Sequence, residues 1–460
     1  MTGSAAGPNR RTMHAPASPH AASLATRIAD RAAIVAVIGL GYVGLPLARA
    51  FVESGFSVLG FDTDPAKVEA LASGRSYIRH IGADSVAAMI ASGRFEATSD
   101  PARLASADAL LICVPTPLTR HREPDMTYVV ATAETIAATL RPGQLVVLES
   151  TTWPGTTEEV VKPILERSGL RSGSDFFLAY SPEREDPGNV EYATSRIPKV
   201  VGADGAEALA VATALYDAVV PRTVAVSSAA TAEAVKLTEN VFRAVNIALV
   251  NELKQVYSAM GIDVWEVIAA AATKPFGFMP FWPGPGLGGH CIPIDPFYLT
   301  WKAREHEIST RFIELAGEIN TAMPRWVVQR LADALNEREG RALRGARILL
   351  IGAAYKKNVD DMRESPALKI IALLEERGAA VDYHDPYVPE LRRSRDYPHL
   401  AGRRSLPWDR ALFATYDAAM IVTDHDGIDY AALLSACRLV VDTRNACRRA
   451  GAVGDNLVLA

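Results

Sequence analysis

One cysteine, Cys291, lies in a stretch whose residue types leave space for a ligand. The stretch 281–296 reads FWPGPGLGGHCIPIDP, and its four glycines and four prolines exclude a helix or a regular strand. Asp295 and Pro296 then predict the N-cap and the first residue of a helix. Thiols near the positive end of a helix are readily deprotonated, so Cys291 is a candidate nucleophile. The alternative is an inert cysteine buried in a Gly/Pro turn.

The composition is that of an ordinary soluble globular protein. The 460 residues suggest two or three domains, and apolar residues make up 49% of the chain. With 48 basic and 53 acidic side chains the net charge is −5, so neither nucleic acid nor an anionic membrane is predicted as a partner.

The cysteines predict neither a metal site nor a disulfide framework. None forms a C-x-x-C pair, and no Cys/His set has the spacing of zinc ligands. Reduced thiols in the cytoplasm are the simplest account of the four cysteines: Cys113, Cys291, Cys437 and Cys447. No run of eighteen apolar residues predicts a membrane span, and residues 1–30 lack a signal-peptide core, which predicts a flexible tail.

A glycine-rich turn follows the first predicted strand. The apolar, β-branched run 32–38 predicts a strand buried on both faces, and GLGYVG at 39–44 leads into an amphipathic helix. In this context Gly39 makes the tight turn, Gly41 admits a pyrophosphate, and Gly44 lets helix and strand pack closely.

An acidic residue after the next predicted strand indicates which dinucleotide binds. Asp62 lies about twenty residues beyond the glycines, where an acidic side chain hydrogen-bonds ribose hydroxyls and repels a 2′-phosphate. The predicted cofactor is therefore NAD. Further predicted cofactor contacts are Tyr42, Val43 and Lys67.

Hydroxyl and charged groups follow three later strands. Thr116 follows the strand 109–114, and Ser150 and Thr151 follow the strand 144–148, at the strand ends where ligands bind in doubly wound sheets. Ordinary turn chemistry is the alternative for these hydroxyls. The turn that contains Glu183 and Arg184 is either a solvated loop or the source of a general base.

A long helix is predicted from about residue 231 to 260. It carries Lys236 and Asn240 at i, i+4 spacing, although a lysine at such a place is more often exposed. Its segment 242–253 is apolar around most of its circumference, which predicts burial between domains or subunits. A homodimer or higher homo-oligomer built on this helix is therefore expected.

A second α/β pattern begins near residue 346 and lacks G-x-G-x-x-G. Its polar loop 355–366 carries Lys356 and Arg363, which either bind phosphate or belong to a solvated basic loop. The predicted fold is α/β, with two Rossmann-like doubly wound domains joined by a long central helix and a helical region.

Several separated motifs together resemble the UDP-glucose/GDP-mannose dehydrogenase family, the nucleotide-sugar 6-dehydrogenases. The resemblance extends from about residue 32 to 450 and rests on motifs in the family's order: GLGYVG (39–44), CVPTP (113–117), EST (149–151), SPE (181–183), GGHCIPIDP (288–296) and YKKNVDDMRESP (355–366). It implies an NAD-binding Rossmann domain over 31–225, a central helical domain with the cysteine loop over 226–335, and a UDP-sugar-binding Rossmann-like domain over 336–460.

The resemblance also implies roles for individual residues. Cys291 matches the family's nucleophile, Lys236 the lysine that stabilises oxyanions, and Asn240 its helper. Asp295 matches the acid that assists water or proton transfer, Glu183 the glutamate of the hydrolysis step, and Thr151 the threonine that holds the attacking water. Arg363 corresponds to an arginine near the cofactor or substrate phosphates. The implied substrate contacts are Glu183, Arg184, Lys236, Asn240, Gly288, Gly289, Tyr355 and Lys356.

The implied reaction oxidises the C6 hydroxyl of a UDP-sugar to a carboxylate in two hydride transfers to NAD. Cys291 retains the aldehyde as a thiohemiacetal, and the second hydride transfer gives a thioester that water hydrolyses. The segments SPEREDPGN and KPFGFMPFWPGPGLGGHCIPIDP most resemble the branch that acts on UDP-N-acetyl-D-glucosamine, in polysaccharide biosynthesis. Glu185 is a candidate for the second glutamate of the UDP-glucose branch.

Other functions stay open at this point. UDP-N-acetyl-D-mannosamine and UDP-glucose are alternative substrates. An ordinary two-electron dehydrogenase with a structural cysteine would release one NADH per sugar. A non-catalytic sugar-nucleotide sensor would release none, although such a protein would usually have lost Cys291, Lys236 or Asp295.

Overall fold

The computed structural model describes residues 18–78, 81–119, 122–184, 197–289 and 291–460, with the backbone alone described at Cys291. The chain forms two compact units. Unit 1 comprises Met1–Thr116 and Asp125–Lys236, and unit 2 comprises Pro117–Pro124 and Leu237–Ala460. Each unit contains one parallel or mostly parallel sheet with helices on both faces.

Eight strands form the sheet of unit 1. They are β1 (Ile34–Ile38), β2 (Ser57–Phe61), β3 (Phe95–Thr98), β4 (Ala109–Ile112), β5 (Leu145–Leu148), β6 (Phe177–Tyr180), β7 (Lys199–Ala203) and β8 (Thr223–Ala225). Their order is β3-β2-β1-β4-β5-β6-β7-β8, and every neighbouring pair is parallel except β6 with β7. The first six strands have the order of a dinucleotide-binding sheet.

The strands of unit 1 are buried on both faces, as their continuous apolar runs predict. In β1, Val35 and Val37 pack into the core on one face of the sheet, and Ala36 and Ile38 pack into the core on the other. Each fully buried valine or isoleucine contributes about 1.5–3 kcal/mol. The strand ends are therefore held in a rigid layer.

Within the described residues, seven helices lie wholly in unit 1: α1 (Pro19–Ala29), α2 (Gly44–Glu53), α3 (Pro65–Ala72), α4 (Ala83–Ala91), α5 (Thr127–Ala137), α6 (Lys162–Leu165) and α7 (Ala206–Asp217). The prediction of a flexible tail over residues 1–30 is wrong for residues 18–30, because Ser18 caps α1 and Pro19 begins it. Residues 1–17 lie outside the described residues. Leu24 and Ile28 lie buried on one face of α1, which packs against α7. Short 3₁₀ and π turns lie at Pro101–Ser106, Thr157–Val161 and Glu166–Ser168.

The long helix predicted from the sequence is present as α8 (Ala229–Ala259). It is followed by α9 (Val264–Ala271), α10 (Cys291–Arg304) and α11 (Arg311–Glu339), all in unit 2. Within the described ranges no helix has the length and apolar character needed to cross a membrane.

Five parallel strands form the sheet of unit 2. They are β9 (Arg347–Ile351), β10 (Ala380–His384), β11 (Ala418–Ile421), β12 (Val440–Asp442) and β13 (Leu457–Leu459), in the order β10-β9-β11-β12-β13. The accompanying helices are α12 (Pro366–Glu376), α13 (Arg410–Phe413), α14 (Tyr430–Ala436) and α15 (Ala446–Arg449), with a 3₁₀ turn at Pro398–Leu400. This is the second common doubly wound strand order, and the predicted fold class is confirmed.

The two sheets repeat one local arrangement after their first strand. Gly39 and Gly352 both have a positive φ, +94° and +87°, and each donates its N–H to the last residue of the neighbouring strand, Phe61 or His384. A Cβ at Gly39 would lie 2.6 Å from the Cys113 carbonyl oxygen, and one at Gly352 would lie 2.5 Å from the oxygen of Thr423. Only glycine fits either turn.

Candidate active site

The glycine-rich turn of unit 1 leaves open space above one of its three motif glycines. A Cβ at Gly44 would lie 1.9 Å from the Gly39 carbonyl oxygen, so helix α2 packs directly on the turn. A Cβ at Gly41 would meet no described atom within 4 Å. Tyr42 and Val43 are partly exposed in this turn, and α2 begins at Gly44. The backbone N–H groups at the start of α2 can therefore receive a pyrophosphate.

Asp62 lies at the carboxyl end of β2, beside this turn. Its carboxylate is 6% exposed and accepts hydrogen bonds from the backbone N–H groups of Leu40 (2.9 Å) and Asp64 (3.0 Å). Lys67 forms an ion pair with it at 2.9 Å. The acidic side chain is thus fixed next to the glycine turn, and a ribose hydroxyl can reach it.

The hydroxyl residues after β4 and β5 differ in their surroundings. Ser150 donates its hydroxyl to the carbonyl oxygens of Ile112 (3.2 Å) and Val114 (2.7 Å), as an ordinary turn serine does. Thr116 is 2% exposed, and Thr151 is partly exposed. Of the three, Thr151 is the hydroxyl best placed to meet solvent or a ligand.

Lys236 is buried near the start of α8, in contrast to the exposure that is commoner for a lysine. Its side chain is 8% exposed, and Nζ donates a hydrogen bond to the carbonyl oxygen of Glu183. The turn after β6 is held further by Arg184, whose guanidinium donates to the Pro198 carbonyl oxygen (2.7 Å). Lys236, Glu183 and Arg184 therefore form one cluster in unit 1, whereas Glu185 lies outside the described residues.

A buried ion pair beneath this turn was not predicted from the sequence. Lys199, on β7, donates to a carboxylate oxygen of Glu149 at 2.6 Å, and their side chains are 5% and 0% exposed. The hydroxyl of Tyr216 donates to the other oxygen of Glu149. Glu149 begins the EST motif, but its partners on β7 and α7 are distant in sequence, so pattern alone does not reveal them.

In unit 2, helix α10 begins at Cys291 rather than after Asp295. Pro293 lies in the first turn of the helix, where backbone N–H groups have no acceptor within the helix, so the lack of an N–H in proline costs no hydrogen bond. Pro296 lies inside the helix. The predicted N-cap role of Asp295 is therefore wrong. Asp295 lies within the helix, 1% exposed, and accepts a 2.6 Å hydrogen bond from the Asn240 side-chain amide.

The loop before Cys291 is tied to α8 by a second asparagine. The fully buried Asn251 accepts a hydrogen bond from the Gly284 N–H (2.9 Å) and donates to the Asn320 side chain (2.9 Å). Asn320 in turn donates to the Ala244 carbonyl oxygen (3.0 Å). Helix α8 thus holds the chain on both sides of Cys291, at Gly284 and at Asp295.

The glycines next to the cysteine pack against the loop 355–366, also in unit 2. A Cβ at Gly288 would lie 2.6 Å from Cβ of Tyr355, and one at Gly289 would lie 2.9 Å from the Tyr355 ring. The Gly289 N–H donates to the Arg363 carbonyl oxygen at 2.9 Å. The structure therefore brings together two segments, 284–289 and 355–366, that are separate in the sequence.

The polar loop of unit 2 is internally braced. Arg363 donates two hydrogen bonds (2.9 and 2.6 Å) to one carboxylate oxygen of Asp361, and Lys356 is partly exposed in the same loop. Asp385, at the end of β10, accepts bonds from the N–H groups of Ala353 and Ala354 and from the ring of His425 (3.0 Å). Asp385 occupies the place that Asp62 has in unit 1, but it is 2% exposed.

Three family models match successive parts of the chain. The NAD binding domain of the UDP-glucose/GDP-mannose dehydrogenase family matches residues 33–220, its central domain matches 230–322, and its UDP binding domain matches 349–449. The chain belongs to this family. It is an NAD-dependent nucleotide-sugar dehydrogenase, so the predicted family, enzyme class and cofactor are confirmed.

Relatives within the family carry different substrate names. The UDP-N-acetyl-D-glucosamine 6-dehydrogenase of Pseudomonas aeruginosa is 40% identical over 79% of this chain and 85% of its own length. The UDP-D-ManNAc dehydrogenase structure from Pyrococcus horikoshii is 33% identical, with a TM-score of 0.83 over 93% of this chain and 98% of that chain. A UDP-glucose dehydrogenase structure from Pyrobaculum islandicum is 30% identical, with a TM-score of 0.79 over the same shares.

The residues of unit 1 fit NAD. The open space at Gly41, the start of α2 at Gly44 and the acid at Asp62 supply a pyrophosphate site and a ribose partner. When bound there, NAD supplies a hydride acceptor. Asp62 opposes a 2′-phosphate by charge, which is consistent with NAD as the cofactor.

Proposed function

We propose that this enzyme oxidises the C6 hydroxyl of UDP-N-acetyl-D-glucosamine to a carboxylate, with two hydrides transferred to NAD in succession. The observation that carries the proposal is the buried hydrogen bond between Asn240 on α8 and Asp295 on α10, the helix that begins at Cys291. A buried amide–carboxylate pair in the helix whose first residue is Cys291 is more than packing requires. It supports a site in which the thiol, an oxyanion partner and an acid act together.

Cys291 is the proposed nucleophile. Its backbone begins α10, where the positive end of the helix dipole favours a thiolate. The thiolate adds to the C6 aldehyde, which gives a thiohemiacetal and keeps the aldehyde from escape or hydration. The second oxidation leaves a thioester on the same sulfur.

Lys236 and Asn240 are the proposed oxyanion partners. The Lys236 ammonium is already desolvated, and the Asn240 amide is held by Asp295. Both donors are therefore preorganised for the alkoxide that develops at C6. Asp295 transfers or accepts a proton at the reacting oxygen. Glu183 takes the proton of the attacking water, and Thr151 holds that water, in the hydrolysis of the thioester.

The substrate contacts proposed for unit 2 are Gly288, Gly289, Tyr355, Lys356 and Arg363. The absence of side chains at Gly288 and Gly289 lets the segment before Cys291 pack against Tyr355, and the loop 355–366 carries cationic groups suited to a diphosphate. The N-acetyl specificity is supported by the Pseudomonas aeruginosa relative and by the small residues of the loop, which accommodate a bulky 2-substituent. The product would be a UDP-uronic acid for polysaccharide biosynthesis in the cytoplasm.

Initial rates with four nucleotide sugars test the substrate. UDP-N-acetyl-D-glucosamine, UDP-N-acetyl-D-mannosamine, UDP-glucose and GDP-mannose would each be titrated with saturating NAD. We expect kcat/KM to be highest for UDP-N-acetyl-D-glucosamine. A preference for UDP-glucose or for UDP-N-acetyl-D-mannosamine would reject the N-acetylglucosamine assignment and leave the dehydrogenase class intact.

A homodimer is proposed on the basis of an exposed apolar stripe of α8. Phe242, Leu249 and Val256 recur every seven residues along one face, and each is about half exposed. Met260 continues the stripe at 66% exposure. A second copy of the same helix presents the matching surface, as expected for a twofold interface.

The mass of the protein in solution tests this interface. The parent should have twice the mass of one chain by light scattering, and Leu249→Glu should shift the population towards one chain. Val453→Glu is the matched control, because Val453 is another exposed apolar residue, 76% exposed, that does not belong to α8. A monomeric parent, or a Leu249→Glu variant that remains fully dimeric at low concentration, would reject the stripe as the interface.

A further inference from the structure

Lys199 is a buried cation of unit 1 to which the proposed reaction assigns no role. Its ammonium lies 2.6 Å from a carboxylate oxygen of Glu149 and donates to the Pro182 carbonyl oxygen at 3.2 Å. It also lies 3.9 Å from Oε2 of Glu183. One buried ammonium therefore reaches both the EST segment and the SPE turn.

Two lysines hold consecutive carbonyl groups of the SPE turn. Lys199 binds the carbonyl of Pro182, and Lys236 binds the carbonyl of Glu183. Ser181, one residue earlier, donates its hydroxyl to the Val200 carbonyl oxygen at 2.8 Å. The backbone that carries Glu183 is thus fixed by three contacts in a row, two of them charged.

The environment keeps Lys199 charged. Burial lowers its pKa, but the carboxylates of Glu149 and Glu183 outweigh burial, so the pKa of Lys199 is raised overall. Tyr216 and Cys113 are the other titratable groups nearby, and burial raises the pKa of each, so both are neutral at neutral pH. The Lys199 ammonium also lies 5.0 Å from the centroid of the Tyr216 ring, a cation–π contact that further restrains it.

We propose that Lys199, fixed by Glu149, is a positioning residue for thioester hydrolysis. It holds the Glu183 backbone through Pro182 and attracts the Glu183 carboxylate, which keeps that carboxylate beside the EST segment that carries Thr151. In the hydrolysis step the water oxygen adds to the thioester carbon, a water proton passes to Glu183, and the carbon–sulfur bond breaks. The products are the carboxylic acid, which loses its remaining proton to solvent, and the Cys291 thiolate. This inference rests on the proposed function.

A pair of matched variants isolates Lys199. Glu149→Gln keeps Lys199 and leaves an oxygen to accept from Tyr216, whereas Lys199→Met combined with Glu149→Gln also removes the ammonium without leaving a buried carboxylate unpaired. Lys199→Gln is a second route, since its amide can still donate to Glu149. Lys162→Met with Asp204→Asn removes another ion pair of unit 1 (2.7 Å) and is the control for general destabilisation.

The readout is the rapid burst of NADH compared with the steady-state rate. In the double variant at positions 149 and 199 we expect two NADH per site in the burst and steady turnover about 10–100-fold below that of Glu149→Gln. Intact-protein mass spectrometry should find the uronyl group on Cys291. Hydroxylamine attacks a thioester without a general base and should restore NADH turnover. A fraction of misfolded protein would lower the burst amplitude and the steady rate in the same proportion, so their ratio would stay that of the parent.

Three results would overturn the inference. The first is an unchanged steady rate in both variants that lack Lys199, and the second is a burst and a steady rate that fall together without acylated Cys291. The third is the same loss of thioester hydrolysis in the variant that lacks the Lys162–Asp204 pair. The parent enzyme separates this inference from the proposed function. If the parent produces no acid and no pair of NADH from any UDP-sugar, the proposed function fails. If the parent does so and the Lys199 variants hydrolyse normally, only the role of Lys199 fails.

Discussion

The side-chain amide of Asn240 donates a 2.6 Å hydrogen bond to the carboxylate of Asp295, and both residues are almost fully buried. Asp295→Asn retains an oxygen that can accept this bond but removes the charge. We expect kcat to fall about a hundredfold, as for the loss of a general acid or base. The midpoint of thermal unfolding should change little, because Asp295 is not an N-cap. A variant with normal kcat would contradict the catalytic role of Asp295.

We propose that Asp62 distinguishes NAD from NADP. In Asp62→Ser the charge that opposes a 2′-phosphate is lost, and Lys67, its partner at 2.9 Å, becomes available to a phosphate. We expect kcat/KM with NAD to fall about tenfold, the equivalent of one charged hydrogen bond, and the ratio of NADP to NAD use to rise.

Asp64→Ser is the control for this cofactor test. Asp64 caps α3 by accepting a hydrogen bond from the Ala66 N–H at 2.9 Å, so its replacement by serine should leave the cofactor preference unchanged. Michaelis constants for both cofactors measure the effect. If Asp62→Ser keeps the parental preference for NAD, Asp62 is not the selecting group.

Asn251 stabilises the loop before Cys291. Asn251→Ala leaves the buried Gly284 N–H and the Asn320 side chain without their partner, which should lower the free energy of unfolding by about 2–4 kcal/mol. Asn246→Ala is the matched change on the same helix. Among the described residues the Asn246 side chain donates to the Phe242 carbonyl oxygen of its own helix, at an exposed position, so its loss should alter stability by at most about 0.5 kcal/mol. Urea unfolding of both variants measures the difference, and equal effects would argue against the tie to Gly284.

Lys254 makes stability depend on pH. It is 3% exposed, packed near Trp265 and Trp326, and burial lowers its pKa to about 7 with Arg444 as a second cause. Between pH of about 7 and 10.5, the pKa of Lys254 in the unfolded chain, Lys254 binds a proton in the unfolded chain but not in the folded one. The free energy of unfolding therefore rises with pH across that range.

Lys254→Met removes this proton linkage. The variant should be more stable than the parent at pH 6 by up to about 5 kcal/mol, since one pKa unit corresponds to about 1.4 kcal/mol. The advantage should shrink as the pH rises from 7 towards 10. Unfolding free energies of both proteins at pH 6, 8 and 9.5 check this, and a difference independent of pH would show that Lys254 is not the titrating group.

Local patterns predict most strands, the glycine turn and the long helix, because each depends on neighbours in the sequence. The start of α10 was predicted wrongly, since Asp295–Pro296 has the residue types of a helix start, and only tertiary contacts show that the helix begins at Cys291. Strand β7 was missed although it is continuously buried, and with it Lys199. The partners of Lys199 lie just after β5, at Glu149, and on α7, at Tyr216, and no local pattern encodes such a pairing.

The ratio of NADH formed to UDP-sugar consumed tests the central claim most directly. The parent enzyme would be given limiting UDP-N-acetyl-D-glucosamine and excess NAD, with Cys291→Ser run in parallel. The proposal predicts two NADH and one UDP-uronic acid per sugar from the parent, and little or no acid from Cys291→Ser. One NADH per sugar from the parent, or undiminished acid formation by Cys291→Ser, would contradict the oxidation through a cysteine thioester.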